Sequence, residues 1–441
     1  MTANAIIPLT AIVTTDLAAI TRGRSFAAHS LEELTATGIG WLPANLSLTA
    51  FNSIANPNPW GSSGDLRVLP DVAARYRTAA TGSATPFDMV MGNIVELDGS
   101  PWSGCTRTQL IQAADALHRA SGLRVVASFE HEFQVFGAPF PPEQALSFAA
   151  LRRADPFGSQ IVTALQEAGV EPEVMIAEFG TDQFEVTNAP AAPVIAADRA
   201  VALREITREI ARNLGWKASF APKTALNSVG NGVHIHFSLR DDAGRPAMYD
   251  ASMPAGLSKI GGAFCAGVLR HLPALTLLTA PSVPSYYRLK PHSWSSSYTW
   301  LADRDREATL RICPTTTIGG RTPDKQYNIE YRAADATGNP YLALTAILRA
   351  GLAGIEAKLP APPLFDGHPT DFSEEQQQQY GLRRLPQSLE AAIEALQADT
   401  VVRSWFSDKF IETLIGVRRA EIAQLAKLAP EAVCDTYRNL Y

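Results

Sequence analysis

Four short segments of the chain alternate between apolar and polar residues with a period of two. This is the pattern of a β-strand that has one face in the core. The segments are Val125–Phe136, Gln183–Val186, Val233–Leu239 and Asn328–Arg332. A half-solvated antiparallel sheet shows the same alternation, so any one segment is explained by structure alone.

The polar faces of these segments are unusual because they carry carboxylates, imidazoles and arginine but no lysine. Their members are Glu130, Glu132, Gln134, Gln183, Glu185, His234, His236, Ser238, Asn328, Glu330 and Arg332. Two carboxylates two residues apart on a strand repel each other unless a cation lies between them. If the four faces converge, Glu178 joins them as a further carboxylate. Such an oxygen-rich set suits Mg²⁺ or Mn²⁺ better than zinc.

Arginines add a second kind of chemistry to this set. The candidates are Arg288, Arg306, Arg311 and Arg332. Guanidinium groups bind phosphates and carboxylates through paired hydrogen bonds. The combination of carboxylates with arginines therefore predicts metal-assisted phosphoryl transfer. His131 lies on the apolar side of its strand, and we interpret it as a core residue.

The chain divides into a strand-rich first part and a larger mixed part. A break at Pro101–Gly104 is followed by apolar residues at helical spacing, which predict a helix over Thr108–Ser121. The segment Lys358–Pro386 holds five prolines and a four-glutamine run, which indicates an exposed loop or flap. We predict an α+β protein with a small N-terminal domain over residues 1–103 and a larger domain over residues 104–441.

Composition and charge narrow the class of protein. The chain has 441 residues, of which 46% are hydrophobic and 19% charged, and this excludes a largely disordered protein. The net charge of −6 gives no indication of a nucleic-acid or membrane partner. The cysteines are Cys105, Cys265, Cys313 and Cys434, they lie far apart, and the first basic residue is Arg22. We expect a cytoplasmic protein without a membrane span.

The segments occur in an order that resembles the glutamine synthetase superfamily. SFEHEFQVF (Ser128–Phe136) is similar to its E-x-E strand, and AEFGTDQFE (Ala177–Glu185) is similar to its E-x-G-P-G-Q-x-E segment. Lys223 with GNGVHIHFSL (Gly230–Leu239) resembles its glycine-rich turn and H-x-H-x-S strand. The other matches are PSYYRL (Pro284–Leu289), DREATLR (Asp305–Arg311), NIEYRAADATGNPYL (Asn328–Leu342) and GDLRVLPD (Gly64–Asp71).

This resemblance implies a β-grasp-like N-terminal domain and a larger catalytic domain with a curved antiparallel sheet and flanking helices. It also implies a ligase that uses ATP. The γ-carboxylate of L-glutamate would attack the γ-phosphate of ATP, and an amine would then displace phosphate to form an amide. Active sites of the family lie between adjacent subunits, so a homo-oligomeric double ring such as a dodecamer is implied.

The resemblance also assigns roles to individual residues of this chain. One Mg²⁺ or Mn²⁺ would be held by Glu132, Glu178 and Glu185, and another by Glu130, His234 and Glu330. The residues facing ATP would be His236, Ser238, Arg306 and Arg311. Those facing glutamate would be Gly230, Arg288 and Arg332. Arg288, Arg306 and Glu178 would act in catalysis, Glu178 as the candidate base.

The chain departs from the family where the amine should bind. Six residues after Arg288, ammonia-using members have a flap glutamate, and this chain has Trp294. Asn52 replaces an aspartate of the N-terminal loop, and Phe148 is the nearest candidate for the tyrosine of the ammonium pocket. These changes remove negative charge from the place where a small cation should bind. Burying a cation without a paired anion is costly.

We therefore predict a pocket for a bulky amine that is neutral at pH 7, formed by Trp294, Phe148 and Asn52. An arylamine such as aniline fits, because arylamines are weakly basic, and the enzyme could open the degradation of such an amine. The sequence leaves two alternatives with the same chemistry, an alkylamine or polyamine synthetase and an ordinary glutamine synthetase. A catalytically silent homologue is disfavoured by the intact metal-ligand set.

Overall fold

The computed structural model describes residues 6–365 and 367–441, and within them the chain forms two β-sheets. One sheet has five strands and lies near the N-terminus, and the other has eight strands. Helices accompany both sheets, so the predicted α+β class with a small and a large sheet domain is confirmed. Residue 103 falls in the segment between the last strand of the first sheet and the next helix.

The N-terminal sheet is mixed rather than fully antiparallel. Its elements are β1 (Leu9–Thr15), β2 (Thr21–Ala27), α1 (Leu31–Thr37), β3 (Ile39–Trp41), β4 (Leu66–Thr78) and β5 (Phe87–Val95). The strand order is β2-β1-β5-β4-β3. β1 and β5 run parallel and the other neighbours antiparallel, which is a β-grasp-like arrangement.

The second sheet contains all four alternating segments. Its strands are β6 (Arg124–Phe136), β7 (Pro172–Ala177), β8 (Gln183–Asn188), β9 (Lys217–Ser219), β10 (Val233–Arg240), β11 (Leu301–Asp303), β12 (Leu310–Ile312) and β13 (Ile329–Tyr331). Their order is β11-β12-β13-β10-β6-β8-β7, with β9 beside β6. The β11–β12 pair is parallel, and the remaining pairs are antiparallel.

Helices form much of the remaining described chain. They are α2 (Thr106–Ser121), α3 (Phe148–Arg152), α4 (Phe157–Glu167), α5 (Pro193–Asn213), α6 (Lys259–Thr279), α7 (Ser285–Arg288), α8 (Pro323–Gln326), α9 (Pro340–Glu356), α10 (Glu374–Tyr380), α11 (Leu389–Ala398), α12 (Thr400–Arg403), α13 (Asp408–Leu425) and α14 (Pro430–Leu440). The α5 helix packs on β6, and Phe264 of α6 packs against Phe237 of β10. The apolar side chains predicted to face the core therefore do so.

Helix α6 is a long apolar helix. In the described parts of the chain, it is the one helix long and apolar enough to cross a membrane by length and composition. Most of its side chains are buried, and it packs against α9. The two backbones approach so closely that a Cβ on Gly267 would lie 2.8 Å from the Cα of Gly354. The helix is thus a core element of this fold.

The prediction that Lys358–Pro386 is a loop is wrong in part, because the glutamine run forms helix α10. Ser373 caps the helix by accepting a hydrogen bond from the Gln376 N–H, and the Gln376 side chain accepts one from the Ser373 N–H. Gly381 ends the helix in the left-handed conformation. These local caps stabilise a helix whose interior composition is polar.

A buried ion-pair network joins the two sheets through α2 and α5. The guanidinium of Arg107 on α2 donates to both oxygens of Asp198 on α5, at 2.9 and 2.8 Å. It also donates to Asp71 of β4 at 2.8 Å. The hydroxyl of Tyr341 donates to Asp198 at 2.6 Å. A buried carboxylate is stable only while such partners remain, so this network fixes the first domain against the second.

Replacing Arg107 by methionine would leave the carboxylate of Asp198 buried without its cation. We expect Arg107→Met to lower the free energy of unfolding by about 3–5 kcal/mol, measured by urea denaturation. The matched control is Arg124→Met, because Arg124 forms an exposed pair with Asp242 at 3.2 Å. That control should change the free energy by less than about 0.5 kcal/mol. Equal effects of the two substitutions would contradict the role of the buried network.

Candidate active site

The polar faces of the second sheet meet because of the strand register. Glu185 of β8 pairs with Glu132 of β6, while Glu130 of β6 pairs with His234 of β10. One step further, His236 of β10 pairs with Glu330 of β13, and Arg311 of β12 pairs with Glu330 from the other side. Residues paired across neighbouring strands have side chains on the same face. The sheet therefore presents a row of carboxylates and imidazoles.

Glu330 is the most fully engaged carboxylate of this row. Its Oε2 accepts a hydrogen bond from Arg311 at 2.8 Å, and its Oε1 pairs with Arg332 and lies 3.4 Å from His234 Nδ1. Burial opposes its charge, but His234 and Arg332 outweigh that effect and hold the pKa of Glu330 near 2. Glu330 is therefore a carboxylate that stays ionised although it is only 1% exposed.

Two histidines share the carboxylate of Glu130. His234 Nδ1 lies 3.3 Å from its Oε2, and His236 Nε2 lies 3.1 Å from its Oε1. Burial would raise the pKa of Glu130, but these two partners hold it well below the usual range. Burial also opposes a charge on His236, while Cys313 and Glu130 raise its pKa well above the ordinary value.

The pKa of Glu185 is shifted in the opposite direction from those of Glu130 and Glu330. Burial, followed by the neighbouring carboxylates, raises the pKa of Glu185 to about 9. Burial and the charge of Glu132 likewise raise the pKa of Glu178. The raised pKa values of Glu185 and Glu178 show that the adjacent cationic side chains leave part of the repulsion between these carboxylates uncompensated. This donor set fits divalent cations that prefer oxygen ligands.

The structure brings together one of the two expected metal sets, because His234 Nδ1 lies 3.3 Å from Glu130 and 3.4 Å from Glu330. The ligand atoms of Glu130, Glu185 and His234 lie within 4.8 Å of one another. Glu185 was expected with Glu132 and Glu178, and Glu330 with Glu130 and His234. The carboxylate of Glu132 accepts a hydrogen bond from the Gly232 N–H, which draws it towards the glycine-rich turn. The ligand roles of Glu132, Glu178 and Glu330 stay predictions.

The glycine-rich turn is shaped around Arg288. A Cβ on Gly230 would lie 2.8 Å from Cγ of Arg288, so only glycine leaves room for this arginine. Arg288 is buried and donates to the carbonyl oxygens of Ala334 at 3.1 Å and Arg332 at 3.2 Å. Gln183 of β8 donates to the Gly230 carbonyl at 2.9 Å. The turn and the arginine thus hold each other in place beside the sheet.

Hydrogen bonds with Arg332 and Glu307 hold the segment around Trp294 in place. Arg332 donates to the Trp294 carbonyl at 3.3 Å, and the Trp294 N–H donates to the carboxylate of Glu307. The His292 N–H donates to the other oxygen of Glu307 at 3.1 Å. Trp294 has a positive φ of 52° and a side chain that is 73% exposed. We call residues 292–297 the flap, and the indole of Trp294 is exposed.

The two other predicted pocket residues lie elsewhere in the single chain. Asn52 is in the turn 49–53, where its N–H donates to the Thr49 carbonyl, and this turn contacts the C-terminal helices through Ala50 and Glu421. Phe148 begins helix α3 and is 79% exposed, because the helix buries Ala150 instead. The role of Phe148 in an amine pocket stays a prediction.

Phe179 is the aromatic residue that the sequence analysis missed. It directly follows Glu178, and its N–H donates to the Glu178 carboxylate at 3.1 Å. Its side chain is 70% exposed, like that of Trp294. Phe179 occupies the variable position of the segment AEFGTDQFE, and a bulky apolar residue there could have indicated a contact with a ligand. Glu307 was likewise overlooked within DREATLR.

The remaining expected site residues border the same face. Ser238 lies on β10 with its side chain on the face of His234 and His236. Arg311 contacts Glu330, as described above, and Arg306 is close enough to Glu178 for its charge to lower the pKa of that carboxyl, against the larger effect of burial. His131 is buried between Phe129 and Phe220, and burial lowers its pKa well below the ordinary value.

Family comparisons agree with this architecture over nearly the whole chain. Residues 3–102 match the family model described as glutamine synthetase N-terminal domain, and residues 103–437 match the one described as glutamine synthetase, catalytic domain. A gamma-glutamylpolyamine synthetase of Streptomyces coelicolor is 33% identical, over 97% of this chain and 92% of that protein. A glutamine synthetase of Methanocaldococcus jannaschii is 35% identical, over 89% and 85%.

Solved structures give the same result. A crystal structure described as a novel glutamine synthase homolog is 44% identical, with a TM-score of 0.92 and complete coverage of both chains. The structure of a GmaS/ADP complex has a TM-score of 0.81 at 23% identity, over 98% of this chain and 96% of that chain. At that identity the second likeness establishes the fold alone.

The carboxylate cluster predicts a specific dependence of stability on pH. The pKa of Glu185 is about 9 in the folded protein and 4.5 in a free side chain. The unfolded chain therefore releases this proton first as the pH rises, so the metal-free protein loses stability between these two values. We expect metal-free Glu185→Gln to melt at a higher temperature than the unsubstituted protein at about pH 8, with a flatter pH profile.

The same substitution should weaken stabilisation by Mg²⁺. A cation present at about 100 times its dissociation constant stabilises a folded protein by about 2.7 kcal/mol. Thermal melts with and without Mg²⁺ measure this effect, and Glu143→Gln in an exposed segment is the matched control. An unchanged pH profile in Glu185→Gln would show that this carboxylate is not the source of the dependence.

Proposed function

The chain belongs to the glutamine synthetase family of ATP-dependent ligases, and we propose that it joins the γ-carboxylate of L-glutamate to an amine larger than ammonium. The observation that carries this proposal is the flap. Trp294 stands where ammonia-using members have glutamate, and its backbone is held against Arg332 and Glu307 while its indole stays exposed. A tryptophan at this position offers apolar surface to an amine in place of negative charge.

The arrangement of the arginines supports the first half of the reaction. In it the γ-carboxylate of glutamate attacks the γ-phosphate of ATP, ADP leaves, and γ-glutamyl phosphate forms. We assign the positioning of glutamate to Arg288 and Arg332, and the phosphates of ATP to Arg306 and Arg311. Arg332 retains a buried Nε that has no hydrogen-bond partner within the described part of the chain, so one donor is available to an anion.

Divalent cations would be held by the carboxylates of the sheet. When bound, they neutralise phosphate charge and polarise the transferred phosphoryl group. Glu130, Glu185 and His234 form the group that the geometry favours most, with Glu132, Glu178 and Glu330 around it. In the second half of the reaction the amine displaces phosphate, and Glu178 would accept the proton that the amine releases. The raised pKa of Glu178 suits such a base.

The exposed aromatic pair favours an aromatic amine. The side chains of Phe179 and Trp294 are both more than two-thirds exposed. The Phe179 N–H donates to Glu178, and the Trp294 carbonyl accepts a hydrogen bond from Arg332. Aromatic side chains at a site mouth gain binding energy by covering an apolar ligand. An aniline-type amine is neutral at pH 7 and needs no carboxylate partner. This candidate rests on the geometry of the single chain.

A polyamine is supported at least as well, by two other observations. The Streptomyces coelicolor relative described above is a gamma-glutamylpolyamine synthetase and aligns with almost the whole chain. In addition, the carboxylate of Glu307 lies directly beneath the flap and would attract a protonated amine. Aromatic faces also bind cations, so Trp294 is compatible with either substrate.

We further propose that active sites form between subunits of a homo-oligomeric ring. This would give Asn52 a role, since the turn 49–53 packs on the C-terminal helices of its own chain and exposes Asn52. Sedimentation velocity would measure the assembly directly, and a monomer that is fully active would contradict the proposal.

The amine is identified by comparing substrates in one assay. Phosphate release from ATP would be measured with glutamate, Mg²⁺ or Mn²⁺, and ammonium, isopropylamine, putrescine or aniline at equal concentrations, with each amide confirmed by mass spectrometry. Preference for aniline would support the neutral-amine pocket, and preference for putrescine the polyamine function. Preference for ammonium would make the enzyme a glutamine synthetase and our interpretation of the flap wrong.

Charge at the flap can be restored by one substitution. We expect Trp294→Glu to raise ammonium-dependent kcat/KM by about tenfold, which corresponds to roughly 1.4 kcal/mol of charge pairing. It should lower the activity with aniline, since the apolar surface is lost. The matched control is Val401→Glu, which adds the same charge at an exposed apolar residue of helix α12. Steady-state kinetics that change equally in both variants would contradict a special role for the flap.

A further inference from the structure

A group of different chemistry adjoins the carboxylate cluster. The ligand atoms of His236, Cys313 and Glu330 all lie within 4.8 Å of one another. Cys313 directly follows β12, is 7% exposed and forms no disulfide. Its Sγ is 3.6 Å from His236 Nδ1 and 4.0 Å from Glu330 Oε2. The group combines a nitrogen, a sulfur and an oxygen donor, unlike the oxygen-rich set beside it.

These separations match the edges of a tetrahedral zinc site. With Zn–S of about 2.3 Å and Zn–N of about 2.05 Å, a tetrahedral angle places nitrogen and sulfur about 3.6 Å apart. The distance from His236 Nδ1 to Cys313 Sγ is 3.6 Å. The same arithmetic gives about 3.6 Å between sulfur and oxygen. Glu330 Oε2, at 4.0 Å from Cys313 Sγ, therefore has to move by a few tenths of an ångström.

Both ring nitrogens of His236 have polar neighbours. Its second ring nitrogen, Nε2, lies 3.1 Å from Glu130 Oε1, an ionic contact whose alignment is not that of a hydrogen bond. The ring is held so that Nδ1 faces both Cys313 and Asn328, whose Oδ1 lies 2.8 Å away. This contact is a hydrogen bond, so a cation bound at Nδ1 would take the place of the proton in it.

An entry path leads to the thiol. Cys313 lines a cavity of about 260 Å³ together with Pro314, Asp303 and Tyr327, and this cavity opens to the surface. A small cation can thus approach Cys313 without passing the carboxylate cluster. The thiol thus has its own access from the surface, while Glu330 is shared with the carboxylates that we assign to Mg²⁺ or Mn²⁺.

We propose that His236, Cys313 and Glu330 bind a thiophilic divalent cation such as Zn²⁺, and that its binding inhibits the enzyme. Thiolate ligands select zinc over magnesium, so excess Mg²⁺ does not fill this site. The cation takes Glu330 Oε2 away from Arg311, which donates to it at 2.8 Å. It also engages His236, which we assign to the nucleotide. The inhibition rests on the proposed function, whereas the metal site does not.

The site is tested with Co²⁺, which reports sulfur ligation through thiolate-to-metal charge transfer in the near ultraviolet. The full-length protein would be titrated with Co²⁺ in excess Mg²⁺, beside Cys313→Ala and the matched control Cys434→Ala, which removes another buried free thiol. We expect the band in the unsubstituted protein and in Cys434→Ala, and its loss in Cys313→Ala. Absence of the band from the unsubstituted protein, or its persistence in Cys313→Ala, would overturn the proposal.

A second measurement needs no variant and guards against misfolding of Cys313→Ala. X-ray absorption of the Zn²⁺-loaded protein in excess Mg²⁺ should show one sulfur neighbour at about 2.3 Å. Nitrogen and oxygen neighbours alone would overturn the site. For affinity, Cys313→Ala should bind Zn²⁺ at least about 100-fold more weakly, since even outer partners of a metal contribute 10- to 100-fold.

The inhibition is measured separately as phosphate release at saturating Mg²⁺. Zn²⁺ should inhibit the unsubstituted enzyme and Cys434→Ala at concentrations that leave Cys313→Ala active, and a chelator should restore activity. Equal inhibition of all three proteins would overturn the inhibitory role. A sulfur-ligated site in a protein without ligase activity would instead refute the proposed function and leave the metal site standing.

Discussion

Repulsion between buried carboxylates is the constraint on which this structure depends. Glu130, Glu132, Glu185 and Glu330 stand on neighbouring strands of one sheet, and burial with mutual repulsion raises the pKa of Glu185 to about 9. Such a cluster is stable only where the backbone fixes it and cations offset its charge. The paired strands fix the carboxylates in place. His234, His236, Arg311 and Arg332 offset part of their charge. The rest of the charge is what makes the face a site for divalent metal.

Much of the fold and of this site could be predicted from the sequence, because period-two alternation determines which residues share a face. The strand register then places Glu185 beside Glu132 and His236 beside Glu330. Helix α10 was not predicted, because its polar interior has no amphipathic period and its stability comes from the caps at Ser373 and Gly381. Local capping is a weaker signal than hydrophobic periodicity.

The residues that sequence reasoning missed lie where strands are too short to show a period. Cys313 follows β12, a strand of three residues, so nothing in the alternation indicates that its thiol faces His236. Glu307 acts through backbone N–H groups of the flap, and such contacts depend on loop geometry that composition does not encode. Phe148 and Phe179 are both exposed phenylalanines, and only the fold shows which of them adjoins a site carboxylate.

The carboxylate of Glu307 links the choice of amine to the conformation of the flap. Both of its oxygens accept backbone hydrogen bonds, one from Trp294 and one from His292. Burial raises its pKa, while these two donors oppose that rise. A protonated amine that paired with Glu307 would compete with the flap for the same oxygens, so binding would loosen the flap. A neutral aromatic amine would leave these hydrogen bonds intact and contact only the indole. If the amine binds at the flap as we propose, selectivity would follow from whether the amine leaves these hydrogen bonds intact, and charge and shape would act through the same side chain.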